Sequence, residues 1–312
     1  MSAQRDDDVV TTSHNPPRVL CIGETMVLVA PVEPRPLAEA DLLRLHVAGA
    51  ESTVAQYLKD LGISAAWASR VGDDPLGRRV LDTIAESGVD TSLVALDPAA
   101  PTGVYFKDPG PGSTAVHYYR RGSAASRMST DDLARFRLQT FDVVHVSGIT
   151  AALSDSCRDM LETVLAPDRP ARPLVSFDVN YRSRLWSAEA AAPVLAGLAT
   201  RADIVFVGQD EAELLWGADT PPKVRERLQG HGRIVVKDGP VGATDIRDDD
   251  LTFVPSNVVD VVEVIGAGDA FAAGYLAGLL HGLMPEQALA QGHRVAAWTL
   301  TSMGDYVPGV RV

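Results

Sequence analysis

The stretch EVIGAGDAFAAGYLAGLL, residues 263–280, joins a glycine-rich loop to a long helix that is rich in alanine, glycine and apolar residues. Gly266, Ala267 and Gly268 are small enough to let backbone amides approach a ligand closely. The positive end of the helix dipole lies at the same point, so the sequence predicts an anion site there. Asp269 follows on the first helical turn, where an acid either caps its own helix or accepts a proton from a bound hydroxyl.

Two other nucleotide-binding motifs do not fit the sequence. The Walker A loop requires a Gly-Lys pair, and none of the 312 residues forms one. The dinucleotide fingerprint GxGxxG/A fails at its sixth position, which is Phe271, and Asp269 inside that loop would repel a pyrophosphate. A dehydrogenase is therefore disfavoured.

Upstream of this stretch, apolar runs typical of strands alternate with helical patterns. The apolar runs occupy residues 18–23, 65–72, 142–148, 174–180, 203–208 and 233–239. The helical patterns occupy residues 51–62, 75–88, 154–166, 187–200 and 210–229. This alternation predicts an α/β fold with a doubly wound, mainly parallel sheet, in which ligands bind at the carboxyl ends of the strands.

Two pairs of short strand-like segments lack crossover helices and depart from this pattern. They lie at 26–30 with 42–48, and at 103–107 with 115–120. Such segments form either a small separate sheet, a lid drawn from about 25–48 and 101–122, or extra edge strands. The first 17 residues are polar and contain three consecutive aspartates, so we expect a disordered leader at 1–17 and one domain at 18–312.

Composition and charge narrow the class of protein. The formal net charge of −13 disfavours nucleic acid and anionic membranes as partners. No apolar run is long enough for a membrane helix and no secretory signal is present, which predicts a cytoplasmic protein. The two cysteines, Cys21 and Cys157, are expected to be buried free thiols.

The C-terminal stretch resembles the signature DTxGAGDxFxxG of the PfkB, or ribokinase-like, family of sugar kinases. Glu263 and Val264 replace the first two residues, whereas the remaining positions match: Gly266, Ala267, Gly268, Asp269, Phe271 and Gly274. The resemblance covers nearly all of 18–312 and implies a ribokinase-like fold, ATP as phosphoryl donor and Mg²⁺. It also implies that Asp269 is the catalytic base and that the Gly266–Gly268 amides form an anion hole.

The N-terminal run HVAGAESTVAQYLKDLG, residues 46–62, is similar to the family motif GGAxxNVAxxLxxLG. In that motif the small residues admit the sugar and the Asn binds its hydroxyls. By this resemblance Gly49 and Ala50 are expected to border the sugar. Thr53, which replaces the Asn, is expected to bind it with a single polar atom.

Further segments resemble one branch of the family, the 2-keto-3-deoxygluconate kinases. They include GETMVLVAP, PTGVYFK, HYYRRGSAAS and the block FDVNYRSRLW at 177–186. The substrate of that branch is a small sugar acid, whose carboxylate suits the planar fork of arginine. The resemblance implies sugar contacts from the lid residues Tyr105, Tyr118 and Arg120 and from Arg182; each arginine is alternatively an ordinary surface cation.

On the nucleotide side, KDGPVGA at 237–243 is similar to a family turn that carries ATP contacts. This implies nucleotide binding by Lys237, Gly239 and Gly242, together with Asn180 of the FDVN run. Glu211 matches the acid of the family segment NxxE, which acts on the metal through water, although an acid at a helix start also simply favours the dipole.

The resulting hypothesis is an ATP-dependent kinase of a small sugar acid, most simply 2-keto-3-deoxygluconate. The alternatives are a fructokinase, a ribokinase, a 5-dehydro-2-deoxygluconate kinase, or a sugar-binding regulator without catalysis. Apolar and aromatic residues on the uncovered lid strands also predict a homodimer that pairs through the lid sheets.

Overall fold

The computed structural model describes residues 16–110, 113–167, 172–229, 232–261, 265–301 and 304–310. Its strands are β1 (Arg18–Ile22), β2 (Met26–Pro31), β3 (Leu43–Ala48), β4 (Ser64–Ala68), β5 (Arg70–Gly72), β6 (Ala95–Asp97), β7 (Val104–Gly110), β8 (Ser113–Tyr119), β9 (Val143–Ser147), β10 (Leu174–Asp178), β11 (Ile204–Gly208), β12 (Arg233–Asp238), β13 (Gly242–Arg247) and β14 (Asp250–Pro255). Its α-helices are α1 (Ala50–Asp60), α2 (Pro75–Glu86), α3 (Leu133–Phe136), α4 (Gly148–Leu153), α5 (Asp155–Val164), α6 (Ala188–Ala199), α7 (Gln209–Trp216), α8 (Pro221–Leu228), α9 (Ala267–Leu280) and α10 (Pro285–Leu300).

The main sheet has the strand order β14-β13-β12-β11-β10-β9-β1-β4. The strands from β4 to β12 in that order pair in parallel, and β13 and β14 add an antiparallel edge. Helices cover both faces: α4 to α8 pack on one, and α1, α2, α9 and α10 on the other. Strand β1 shows why, since Leu20 and Ile22 enter the first core and Val19 and Cys21 the second. The predicted doubly wound, mainly parallel sheet is confirmed.

The smaller sheet has the order β3-β2-β7-β8. Its pairs β2–β3 and β7–β8 are antiparallel, and β2–β7 is parallel. These strands fall within 25–48 and 101–122, the ranges in which the sequence predicted the strands of the lid. They form a sheet of their own rather than extra edge strands of the main sheet.

Two predicted elements are each divided in the structure. The apolar run 65–72 forms β4 in the main sheet and β5 beside β6. The helical pattern 210–229 forms α7 and α8, because Gly217 adopts a left-handed φ of 67° after α7 and Pro221 opens α8. Within 65–72 only Ser69 separates the two strands, so the apolar pattern did not reveal the break. Within 210–229 the signal was present in the sequence, because Gly217 is typical of a helix end and the pair Pro221–Pro222 of a helix start.

The structure tests the remaining expectations from the sequence only in part. Both cysteines are buried and free, as expected. No helix in the described ranges is long and apolar enough to cross a membrane. The predicted leader at 1–17 lies almost wholly outside the described residues, as do Glu263 and Val264 of the signature.

Candidate active site

A cavity of about 1320 Å³ opens between the carboxyl edge of the main sheet and the small sheet. The main domain contributes the ends of β10, β11 and β12 and the start of α9. The small sheet contributes Tyr105 and Tyr118, and Arg120 follows directly after β8. This is the position at which a doubly wound sheet binds its ligands, because the loops that follow parallel strands meet there.

The anion site predicted at the start of α9 lies in this cavity. Gly266 precedes the helix with a φ of 84°, and a Cβ there would lie 2.8 Å from Asp305 Cα, so only glycine fits. No side chain caps the first turn of α9 in the part of the chain that is described. The amides that open α9 therefore keep hydrogen-bonding capacity for a ligand. Ala267, the third small residue of the loop, does not border the cavity, unlike Gly266 and Gly268.

Asp269 borders the cavity and does not cap its own helix. Its Oδ1 accepts a hydrogen bond of 3.3 Å from Asn180 Nδ2. Burial, followed by the charge of Asp178, raises the pKa of Asp269 to about 7, against the opposing effect of Lys237 and Arg182. A carboxyl group with that pKa suits proton transfer near neutral pH.

Asp178 forms an ion pair beside Asp269 that the sequence analysis missed. It ends β10 with 1% of its surface exposed, and its Oδ2 lies 2.7 Å from Lys237 Nζ. Its Oδ1 is buried and has no hydrogen-bond partner among the described residues, although Asp178 borders the cavity. The signal was available, because Asp178 closes a buried strand at the carboxyl edge where ligands bind.

Lys237, at the end of β12, faces the anion site. A Cβ on Gly268 would lie 3.5 Å from Lys237 Nζ, which places the ammonium group beside the start of α9. Gly239, in the following turn, has a φ of 44° and borders the cavity. Gly242 does not border it; a Cβ there would lie 2.4 Å from Val254 O, so this glycine serves the β12–β13 hairpin.

Glu211 binds two backbone amides at the cavity wall. Its Oε2 accepts from Gly208 N at 2.9 Å, and its Oε1 accepts from Tyr181 N at 2.8 Å. Burial and then the charge of Asp178 raise the pKa of Glu211. Glu211 thus joins the start of α7 to the loop after β10. That loop includes Asn180, which holds an unusual positive φ of 38°.

At the other end of the cavity, the start of α1 presents Gly49 and Ala50. A Cβ on Gly49 would lie 2.6 Å from Glu24 O, so the close approach of the two chains requires glycine. Thr53 does not border the cavity and is 1% exposed. The structure therefore gives no support to the predicted sugar contact of Thr53, because one helical turn carries it from the cavity wall into the packed core.

The residues expected to bind a carboxylate differ in their surroundings. The rings of Tyr105 and Tyr118 stack in the wall of the cavity, with their centroids 5.4 Å apart. Arg120 is 9% exposed and pairs with Glu24, to which its Nε donates at 2.7 Å. Arg182 is exposed, and its Nη1 donates to Tyr181 O at 3.2 Å.

A model of the pfkB family carbohydrate kinases matches residues 16–310. The chain belongs to this family. It is 35% identical over 289 residues to the 2-dehydro-3-deoxygluconokinase of Bacillus subtilis (strain 168), an alignment that covers 91% of this chain and 89% of the relative. It is 34% identical over 293 residues to the 2-dehydro-3-deoxygalactonokinase of Haloferax volcanii, with 92% of each chain covered.

A sugar kinase of Pyrococcus horikoshii, solved in complex with ATP, has a similar structure. The TM-score is 0.81 at 26% identity, and the match covers 92% of this chain and 94% of that one. The family and these relatives identify the protein as a carbohydrate kinase that uses ATP to phosphorylate a sugar. The ribokinase-like fold expected from the sequence is confirmed.

The cavity of this PfkB kinase also fits the magnesium ion that ATP-dependent phosphoryl transfer requires. Mg²⁺ takes oxygen ligands and is commonly bound through one or two carboxylates plus substrate phosphates. Asp178 offers an unpartnered buried oxygen at the cavity wall. Glu211 keeps lone pairs that can accept from metal-bound water. No group of three or more potential metal ligands occurs within the described residues, so the phosphates would complete the coordination.

Proposed function

We propose that this PfkB kinase transfers the γ-phosphoryl group of ATP to a hydroxyl of a small sugar acid, with 2-keto-3-deoxygluconate and its 6-phosphate as substrate and product. The observation that carries the proposal is one cavity with Asp269 and the open start of α9 at one end and Arg120 and Arg182 at its border. The curated relatives named 2-dehydro-3-deoxygluconokinase support the same substrate class.

In the proposed reaction, Asp269 accepts the proton of the sugar hydroxyl as its oxygen attacks the γ-phosphorus and ADP leaves. Asn180 donates to Asp269 Oδ1, which holds the carboxylate in place. The backbone amides of Gly266–Gly268 and the ammonium group of Lys237 stabilise the negative charge on the transferred group. Asp178 and Glu211 are the residues that would hold Mg²⁺ together with the phosphates, and the ion would supply further stabilisation of this charge.

The carboxylate of the sugar acid would bind the exposed guanidinium of Arg182, whose planar fork suits two oxygens. The stacked rings of Tyr105 and Tyr118 would cover the sugar from the lid. Neutral sugars offer the guanidinium only neutral oxygen acceptors and no opposite charge, which disfavours a fructokinase or a ribokinase. The open anion site with its base disfavours a binding-only regulator, because a regulator has no use for a proton acceptor of pKa about 7.

The test is a panel of substrates with Mg²⁺, ATP and coupled detection of ADP. It contains 2-keto-3-deoxygluconate, its galactonate epimer, 5-dehydro-2-deoxygluconate, fructose and ribose. The expected result is the highest kcat/KM for 2-keto-3-deoxygluconate. A higher value for the epimer would correct the sugar and keep the acid, whereas equal or better turnover of fructose or ribose would overturn the assignment.

A further inference from the structure

A buried acid, Glu24, lies where the chain leaves β1 and enters the small sheet. It is 3% exposed and borders the cavity, yet the proposed reaction does not use it. A buried carboxylate is costly unless it is paired and hydrogen-bonded, so its partners indicate what it does.

Both carboxylate oxygens of Glu24 bind residues at a second crossing, where the chain leaves β8 and returns to the main domain. Oε2 accepts from Arg120 Nε at 2.7 Å and also from Arg120 Nη2. Oε1 accepts from the hydroxyl of Ser123. One side chain therefore joins the outgoing and the returning connection of the lid.

The other two crossings between the lid and the main domain also pack on Glu24. A Cβ on Gly103, just before β7, would lie 2.9 Å from Glu24 Oε1. A Cβ on Gly49, just after β3, would lie 2.6 Å from the backbone oxygen of Glu24. All four connections of the lid thus meet at one residue.

This arrangement leaves Arg120 with one nitrogen for a ligand. Nε and Nη2 bind Glu24, whereas Nη1 has no hydrogen-bond partner in the described ranges, and Arg120 borders the cavity. Glu24 balances the charge of Arg120, whereas the exposed Arg182, the other predicted carboxylate ligand, forms no ion pair within 4 Å among the described residues.

We propose that Glu24 is a positioning residue for the sugar: it fixes the guanidinium of Arg120 at the lid junction so that Nη1 meets the substrate, and it leaves Arg182 to supply the net charge that selects an acid. Only the second half rests on the proposed function. A side chain fixed before the ligand arrives loses less entropy on binding, which is how Glu24 contributes to affinity.

The first experiment is a double-mutant cycle with Glu24→Gln, Arg120→Gln and the double variant. Glu24→Gln is expected to raise the KM of the sugar on the order of tenfold, with the KM of ATP unchanged. In the Arg120→Gln background, Glu24→Gln should raise the KM of the sugar little further, because the guanidinium through which Glu24 acts is already absent. The control cycle pairs Glu24→Gln with Arg182→Gln, and in their double variant the two fold-increases in the KM of the sugar should multiply.

Multiplying effects in the Glu24–Arg120 cycle, or parallel rises in the KM of sugar and ATP, would overturn the positioning role. If Glu24→Gln fails to fold, Glu24→Asp replaces it, since it keeps the charge and withdraws the carboxylate by one methylene. The same rise in the sugar KM is expected. Ser123→Ala is the matched control, because it removes one bond to Glu24 and leaves Arg120 held, so its sugar KM stays near that of the wild type.

The second experiment separates the charge role from the proposed function. Arg182→Gln is expected to raise the KM of the sugar acid more than that of fructose, whereas Arg120→Gln raises both by the same factor. The reverse pattern would overturn the assignment of the net charge to Arg182. A wild type with no preference for the acid would overturn the proposed function instead, and the Glu24–Arg120 cycle would then be decided on the preferred sugar.

Discussion

The two ends of the cavity are each built around a buried ion pair, but only one pair has a further carboxylate beside it. At the start of α9 the pair Asp178–Lys237 lies beside Asp269, and Arg182 is close enough to lower the pKa of that carboxyl. At the lid junction Glu24 pairs with Arg120, so the two charges balance. An extra acid therefore distinguishes the first end, and a balanced ion pair the second.

This difference matches the two tasks of the proposed sugar-acid kinase. Burial and the neighbouring charge of Asp178 raise the pKa of Asp269 to about 7, which suits acceptance of a proton. The guanidinium groups of Arg120 and Arg182, which both border the cavity, suit the binding of a carboxylate. The first end belongs to the main domain, and the second combines it with the lid. We therefore expect the first to govern turnover and the second to govern substrate choice.

The largest expected effect is at Asp269. Asp269→Asn keeps the size of the side chain and removes its basicity, so kcat should fall roughly 10²- to 10⁴-fold. The raised pKa means that the ionised carboxylate destabilises the folded state at neutral pH, so the variant should unfold at a temperature no lower than the wild type. Steady-state kinetics and thermal unfolding measure both, and activity within about threefold of the wild type would contradict the mechanism.

The next effect concerns the sugar end. Arg182→Lys should raise the KM of the sugar acid about tenfold and leave the KM of ATP nearly unchanged, because an ammonium group cannot reproduce a bidentate grip. Arg201→Lys is the control: Arg201 lies at the end of α6, away from the cavity, and its replacement should change neither constant. Parallel increases in both constants for Arg182→Lys would instead indicate a structural role.

The pH dependence tests the charge balance at the transfer end. In the wild type, kcat/KM should rise with pH through a pKa near 7, because only ionised Asp269 accepts a proton. Burial would still raise this pKa in Asp178→Asn, but the variant removes the largest charge effect that adds to it and leaves Lys237 to lower it, so the rising limb of the profile should move to lower pH. Lys237→Gln should move it to higher pH. The measurement is kcat/KM as a function of pH across neutrality for the wild type and both variants. If the rise in kcat/KM occurs at the same pH in all three, the proposed effect of these two charges on Asp269 is wrong.

The smallest effect, a twofold change in mass, concerns the lid surface. Leu43 and Leu45 are 44% and 37% exposed on β3, an edge strand of the small sheet among the described strands. We predict that two subunits pair there, so light scattering should give twice the chain mass and Leu43→Lys should halve it. Leu251→Lys on β14, the exposed edge of the main sheet, is the control and should keep the dimer. A monomeric wild type at micromolar concentration would contradict the prediction.

The sequence predicted the elements whose signals are local. Alternating apolar and helical patterns predicted the parallel sheet, and the run around Asp269 predicted the loop and helix start that border the cavity, because small residues before an apolar helix favour that geometry by themselves. The break inside 65–72 was missed, since the chain stays extended when it passes from one sheet to the other. The break inside 210–229 was also missed, although Gly217 and Pro221 signal a helix end and a helix start.

Tertiary structure decided which residues share the site and in what state of charge. Thr53 and Gly242 sit in matching motifs but lie apart from the cavity, because helix and hairpin geometry turns them into the packing. Asp178 pairs with Lys237 across 59 residues and Glu24 with Arg120 across 96. Pattern and spacing predicted the α/β fold and an acid at the anion site, and the resemblance to the PfkB family predicted that this acid is the base. These long-range pairs set the charge balance at each end of the cavity, since burial and electrostatics depend on neighbours that only the folded chain brings together.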